Sequence, residues 1–195
     1  TNGKNISCIK GLGLVPAVFN EDNLKKLKGH IAIAHNRYST TGSNVESNAQ
    51  PIVIKNKLIN LALAHNGNII NAKELSETIK NVKLSSTTDS EIIAWIIALS
   101  KGTSIEEKIL NSFPLFRGAY SMVILTKEKL IAVRDPLGFR PLVLGKLNGG
   151  YVVASETCGL DTIGAKIIRD VKPGEIITIN NKGFSSIHQK NNSKR

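Results

Sequence analysis

Apolar residues in this chain come in short runs, and none exceeds Ile92–Leu99. A helix that crosses a bilayer needs roughly 20 consecutive apolar residues, so the pattern excludes a membrane-spanning helix. The alternative is a layered domain of short strands, with a few helices covering their apolar faces. With 195 residues, 41% of them hydrophobic, the chain is too apolar to stay disordered and long enough for one buried core.

Spacing and turn chemistry place the elements. Ile6–Ile9 and His30–Asn36 read as strands, and Asn20 caps a short helix over Glu21–Lys28. Ile52–Ile54 and Leu58–Ala64 read as a hairpin around Lys55-Asn56-Lys57. Asn71 with Glu74 predicts a capping box leading into Glu74–Lys80. Asp89 opens a helix over Ser90–Ser100, and Ser104 with Glu107 caps another that ends near Phe113. After Gly118 the pattern turns to strands over Ala119–Thr126, Lys129–Arg134, Leu142–Lys146 and Tyr151–Ser155. A short helix at Thr157–Ile163 and a hairpin of Glu175–Asn180 with Phe184–His188 complete the list. Hairpin-linked strands around central helices predict an antiparallel α+β domain rather than a doubly wound parallel sheet.

The charge balance narrows the function. There are 26 Lys and Arg against 15 Asp and Glu, a formal net charge of +11. These cations are mostly scattered lysines, and aromatics are only 5% of the chain. Groove readers use arginine forks and interleaved aromatic rings, so no nucleic-acid partner is expected. Cys8 and Cys158 cannot form a disulfide framework or a four-ligand zinc site, and each reads as a small buried hydrophobe. His30, His35, His65 and His188 lack metal spacing, and no metal is expected. No targeting segment is visible, which predicts a cytoplasmic protein, and a start at Thr1 predicts a segment of something longer.

Three polar clusters follow apolar runs. In His35-Asn36-Arg37-Tyr38-Ser39-Thr40-Thr41-Gly42, Arg37 could clamp a carboxylate bidentately or form a surface ion pair. In His65-Asn66-Gly67-Asn68, Asn-Gly signals a tight turn. The Asn66 amide and the Gly67 N–H could instead donate to one oxygen, as an oxyanion hole does. Ser86-Thr87-Thr88-Asp89 reads as a helix N-cap, and its carboxylate could also hold a ligand ammonium group. A cation, a donor pair and an anion suit an amino acid attacked at its side-chain carbonyl.

Further stretches run in order with these clusters: Lys10-Gly11-Leu12-Gly13-Leu14-Val15, Asn48-Ala49-Gln50-Pro51, Thr88-Asp89-Ser90-Glu91, Arg117-Gly118-Ala119-Tyr120, Arg134-Asp135-Pro136-Leu137-Gly138-Phe139-Arg140-Pro141-Leu142, Ala154-Ser155-Glu156-Thr157-Cys158 and Val171-Lys172-Pro173-Gly174-Glu175. Nearly end to end, the chain resembles the glutaminase domain of the amidophosphoribosyltransferase family, among the class II glutamine amidotransferases. The Arg-Tyr-Ser-Thr form at 37–40 is similar to this family rather than to the sugar-phosphate synthases.

The resemblance implies the four-layer αββα sandwich of N-terminal nucleophile hydrolases, here truncated at its N-terminus. Residues 1–189 would be a partial glutaminase domain, and 190–195 a polar tail leading toward a phosphoribosyltransferase domain. It implies that a cysteine attacks the glutamine amide to give a glutamyl thioester. Arg37 would hold the glutamine carboxylate, Asp89 its ammonium, and Asn66 with Gly67 the oxyanion. Tyr38 and Thr40 would belong to a loop closing over the substrate. The family's nucleophile aligns before Thr1, so this chain is expected to be inactive alone. The parent would pass ammonia to phosphoribosyl pyrophosphate and make 5-phosphoribosylamine for purine synthesis. It would be a homotetramer, with magnesium in its transferase domain and with or without an iron–sulfur cluster. Two alternatives stay open: a glutamine-binding module without catalysis, and the glutaminase domain of another class II amidotransferase.

Overall fold

Residues of Gly118–Leu125 alternate between two apolar surroundings. Tyr120, Met122 and Ile124 face one cluster of buried side chains, while Val123 and Leu125 face others. A strand that is apolar on both faces must be sandwiched between layers. The computed structural model, which describes residues 1–37, 45–57 and 59–189, shows what those layers are.

The strands are β1 (Ile52–Lys55), β2 (Asn60–Ile69), β3 (Gly118–Leu125), β4 (Leu130–Arg134), β5 (Val143–Leu147), β6 (Gly150–Ala154), β7 (Lys166–Asp170), β8 (Glu175–Asn180) and β9 (Gly183–His188). The helices are α1 (Val15–Val18), α2 (Glu21–Lys26), α3 (Ala72–Thr78), α4 (Asp89–Leu99), α5 (Ile105–Ser112) and α6 (Thr157–Thr162). A six-stranded sheet runs β1-β2-β3-β4-β8-β9, and a three-stranded sheet runs β6-β5-β7, every pair antiparallel.

Helices α3, α4 and α5 cover one face of the large sheet, burying Leu75, Ile93, Ile97 and Ile109 against Leu61, Leu63, Ile131 and Ile176. Each such side chain contributes about 1.5–3 kcal/mol by leaving water. On the other face, Ala132 and Ile177 meet Leu142, which precedes β5, and Leu144 of the small sheet. The small sheet's outer face carries α6, whose Leu160 packs with Val143 and Ala165. The order helix, sheet, sheet, helix is the predicted four-layer αββα sandwich.

Several local expectations need correction. Ile6–Ile9 and His30–Asn36 are extended but form no strand among the described residues. Their side chains explain the strand-like pattern: Ile6, Ile31 and Ile33 pack on the large sheet, while the His30 N–H donates to the Thr1 carbonyl (3.0 Å) and the Thr1 ammonium to the Ile31 carbonyl (2.7 Å). Asn71 does not cap α3. Its amide donates to the Leu115 carbonyl (2.9 Å) and accepts from the Arg117 N–H (3.0 Å), pinning a distant loop instead. Cys8 and Cys158 are exposed, not buried. Both α1 and β7 carried no clear signal, because neither buries a full apolar face. The predicted caps at Asn20 and Ser104 are present, accepting from the Asn23 and Glu107 N–H groups at 2.9 and 3.2 Å.

Candidate functional site

The Asn66-Gly67 pair is not a turn. It lies inside β2, with Asn66 opposite Ser121 and Gly67 opposite Tyr120 on β3. Glycine is required there by close approach. A Cβ on Gly67 would strike the Ala119 carbonyl oxygen and stand 2.8 Å from the Tyr120 Cα, and φ is +143°. Gly118 faces the same squeeze from the Asn68 carbonyl, so the two strands pinch together at this end. The pinch is what disguises a strand as a turn signal.

Asp89 also departs from expectation. Thr88 is the N-cap residue of α4, and Asp89 follows in the first helical turn, where the helix dipole favours a carboxylate. Asp89 Oδ2 accepts the Ile69 N–H of β2 at 3.0 Å. Its other oxygen lies 3.9 Å from His65 Nδ1. Burial holds the His65 imidazole down at about 4, so at neutral pH that ring supplies no countercharge to Asp89. His65 Nδ1 instead pairs with Ser90 Oγ at 3.2 Å.

The stretch bearing Arg37 reaches the same end of β2. His35 Nε2 stands 2.8 Å from Asn66 Oδ1, two residues before the partly buried Arg37. Thus β2 gathers His35 at Asn66 and Asp89 at Ile69, within four residues of strand. Tyr38 and Thr40, also predicted to touch the ligand, lie outside the described residues.

Supporting residues passed over as plain motif positions hold this corner together. The Gln50 side chain brackets His65, accepting its N–H and donating to its carbonyl at 2.6 and 3.1 Å. Asn48, fully buried, pairs with the N–H and hydroxyl of Thr87 at 2.9 and 3.0 Å, tying the loop before α4 to the segment before β1. Burial alone would raise the Glu91 carboxyl, but the N–H and hydroxyl groups of Ser85 and Ser86 hold it below the usual carboxylate range. Asn48 and Gln50 stood in the stretch Asn48-Ala49-Gln50-Pro51, but no local pattern marked their partners, which lie 39 and 15 positions away.

The stretch 134–142 proves to be scaffold. Arg134 donates to the carbonyls of Arg140, Val171 and Gly138 at 2.8, 2.6 and 2.9 Å. The Asp135 carboxylate accepts from the Leu137 N–H at 2.9 Å. Partial desolvation by its neighbours pushes the Cys8 thiol up, and the Cys158 thiol lies beside Glu156 at 3.7 Å on the outermost layer. Among the described residues no three His, Cys, Asp or Glu are placed to hold a metal, and no helix is long and apolar enough to cross a membrane. A cleft of about 1010 Å³ between the sheets, lined by Ile31, Lys129, Leu130, Tyr151 and Ile179 among others, does not include the β2 corner.

Residues 35–162 match the glutamine amidotransferase domain. The chain is a member of the glutamine amidotransferase family. This amidotransferase domain is 45% identical over 192 residues to the amidophosphoribosyltransferase of Synechococcus elongatus, matching 94% of this chain and 39% of that protein. Among solved structures it superposes on an allosteric regulatory enzyme of purine biosynthesis with a TM-score of 0.92, at 39% identity, over 98% of this chain and 42% of that one. It matches the glutamine phosphoribosylpyrophosphate amidotransferase of B. subtilis, solved with ADP and GMP, with a TM-score of 0.90 at 38% identity, over 98% of this chain and 42% of that one. The amidotransferase domain therefore spans about two fifths of the relatives it matches.

Proposed function

We propose that this domain binds glutamine for hydrolysis within an amidophosphoribosyltransferase, which delivers the ammonia to phosphoribosyl pyrophosphate and forms 5-phosphoribosylamine. One observation carries the assignment: two side-chain hydrogen bonds bring the Arg37 stretch and the α4 N-terminus to the same four residues of β2. Arg37 takes the α-carboxylate in a charge-assisted pair, and Asp89 Oδ1 takes the α-ammonium. The Asn66 amide and the Gly67 N–H donate to the side-chain carbonyl oxygen as it gains negative charge.

A thiolate from outside these residues attacks the amide carbon. The C–N bond breaks, the nitrogen leaves protonated as ammonia, and water cleaves the resulting thioester to glutamate. Magnesium would accompany phosphoribosyl pyrophosphate in the transferase portion, and the parent would be a homotetramer. Two unpaired, exposed thiols suit a reducing compartment, and we place the protein in the cytoplasm.

Isothermal titration of the domain with glutamine tests the assignment. Glutamine should bind and alanine should not, and Arg37→Ala should abolish the difference. Equal heats for the two amino acids would overturn it. The domain alone should release no ammonia from glutamine.

A further inference from the structure

An oxyanion donor built from asparagine has a handedness problem. The carboxamide presents an acceptor on one side and two donors on the other, and a half-turn about the Cβ–Cγ bond exchanges them. The donor role requires something to hold the oxygen away from the substrate. Asn66 is half-buried on β2, and the contact its Oδ1 makes is with His35 Nε2 at 2.8 Å. An amide oxygen only accepts, so Nε2 carries the ring proton in this arrangement.

The other ring nitrogen completes the picture. His35 Nδ1 is buried with no hydrogen-bond partner among the described residues. A protonated Nδ1 would need a well-placed acceptor there, whereas a bare lone pair costs less to leave without a donor. Burial also pushes the imidazole below its usual value; the Asn66 side chain and the His65 backbone oppose this, and the Arg37 charge adds to it. Surroundings of this kind select the neutral ring with its proton on Nε2.

We propose that His35 is a positioning residue that fixes the Asn66 carboxamide with its Nδ2 hydrogens directed to the substrate oxygen. This rests on the glutamine-hydrolysis assignment above and extends it to a residue outside the clamp. Because His35 and Arg37 share one stretch, the residues that grip the carboxylate and orient the oxyanion donor are held to β2 by the same hydrogen bond.

The test uses the full-length protein that carries this chain, with His35→Phe to remove the donor at similar volume and His35→Gln to restore an N–H. With glutamine, His35→Phe should lower kcat by about ten- to a hundredfold, with KM for glutamine changing less than threefold. Ammonia-dependent synthesis should be unchanged, and His35→Gln should recover part of the loss. An unchanged kcat, or an equal loss with both nitrogen donors, overturns the proposal. Nitrogen-15 NMR of this chain gives a readout apart from activity: it should show the proton of His35 on Nε2, and a proton on Nδ1 instead would also overturn it. A wild-type protein that cannot use glutamine at all would sink the underlying assignment. A wild-type protein that uses it, beside an unaffected His35→Phe, sinks only the role of His35.

Discussion

The Asp89 carboxylate in the first turn of α4 accepts the backbone N–H of Ile69, at the end of β2, at 3.0 Å. One oxygen is thereby committed to the scaffold, and under the proposed function the other takes the ligand ammonium. Replacing the residue therefore separates two jobs. Asp89→Asn keeps an acceptor for Ile69 and removes the charge. It should leave the melting temperature nearly unchanged while weakening glutamine about ten- to a hundredfold, the worth of a charge-assisted bond of about 1.5–3 kcal/mol. Asp89→Ala should lose both binding and stability, because Ile69 is buried and its N–H would be orphaned. Calorimetric titration alongside thermal unfolding checks both.

Arg37 should act on binding rather than on the folding of the acceptor site. In the full-length protein Arg37→Ala should raise KM for glutamine strongly, by the equivalent of about 2–4 kcal/mol, while synthesis from ammonia survives. Steady-state kinetics with both donors distinguishes this from misfolding, which would depress the two together.

Gly67→Ala should be severely destabilising, on the order of 3 kcal/mol or more, because a Cβ collides with β3 backbone at a positive φ. Gly159→Ala in α6 is the control. Its Cβ would meet the Ala154 side chain at 3.5 Å, an ordinary contact, and its stability should be unchanged or raised. Urea unfolding of the two variants gives the comparison, and similar losses would count against the strand pinch.

Acid should weaken the site corner before it unfolds the sheets. Burial lowers His65 from 6.5 to about 4 in the folded chain, with His35 and Arg140 acting in the same direction and Asp89 opposing them. The unfolded chain therefore takes up this proton first. The stability contribution is complete above pH 6.5 and falls as the pH drops toward 4, by on the order of 3 kcal/mol in all. Urea titrations at pH 7 and pH 5 should show the decline, and His65→Asn should flatten it. Proton NMR should find the His65 ring neutral at pH 6.

Periodicity made most of the large sheet and α4 legible, since Leu61, Leu63, Tyr120 and Ile124 repeat at the strand period and Ile93 and Ile97 at the helical one. Arg37, Asp89 and Asn66 could be picked out because their chemistry fits one ligand. That His35 meets Asn66 and Asp89 meets Ile69 at one end of β2 could not be read, because these hydrogen bonds join residues 31 and 20 positions apart. The opposite error occurred at Gly67, where a local turn signal outweighed a strand whose glycine answers to Ala119 across the ladder. Asn71 failed as a cap for the same reason, its amide being claimed by Leu115 and Arg117 from outside its neighbourhood.

Residues 31–37 lie along the sandwich without joining a ladder, while Asn66 and Gly67 sit inside one. In the proposed glutamine grip, one half therefore stands on paired strands and the other does not. A ligand arriving at the corner meets donors whose spacing is set by paired strands. Under the proposed function the guanidinium stands on a stretch outside both ladders, tied to β2 through His35 and Asn66. Backbone amides of 32–37 should exchange with deuterated water faster than those of β2, and the cost of adjusting to an incoming amino acid should fall almost wholly on that side.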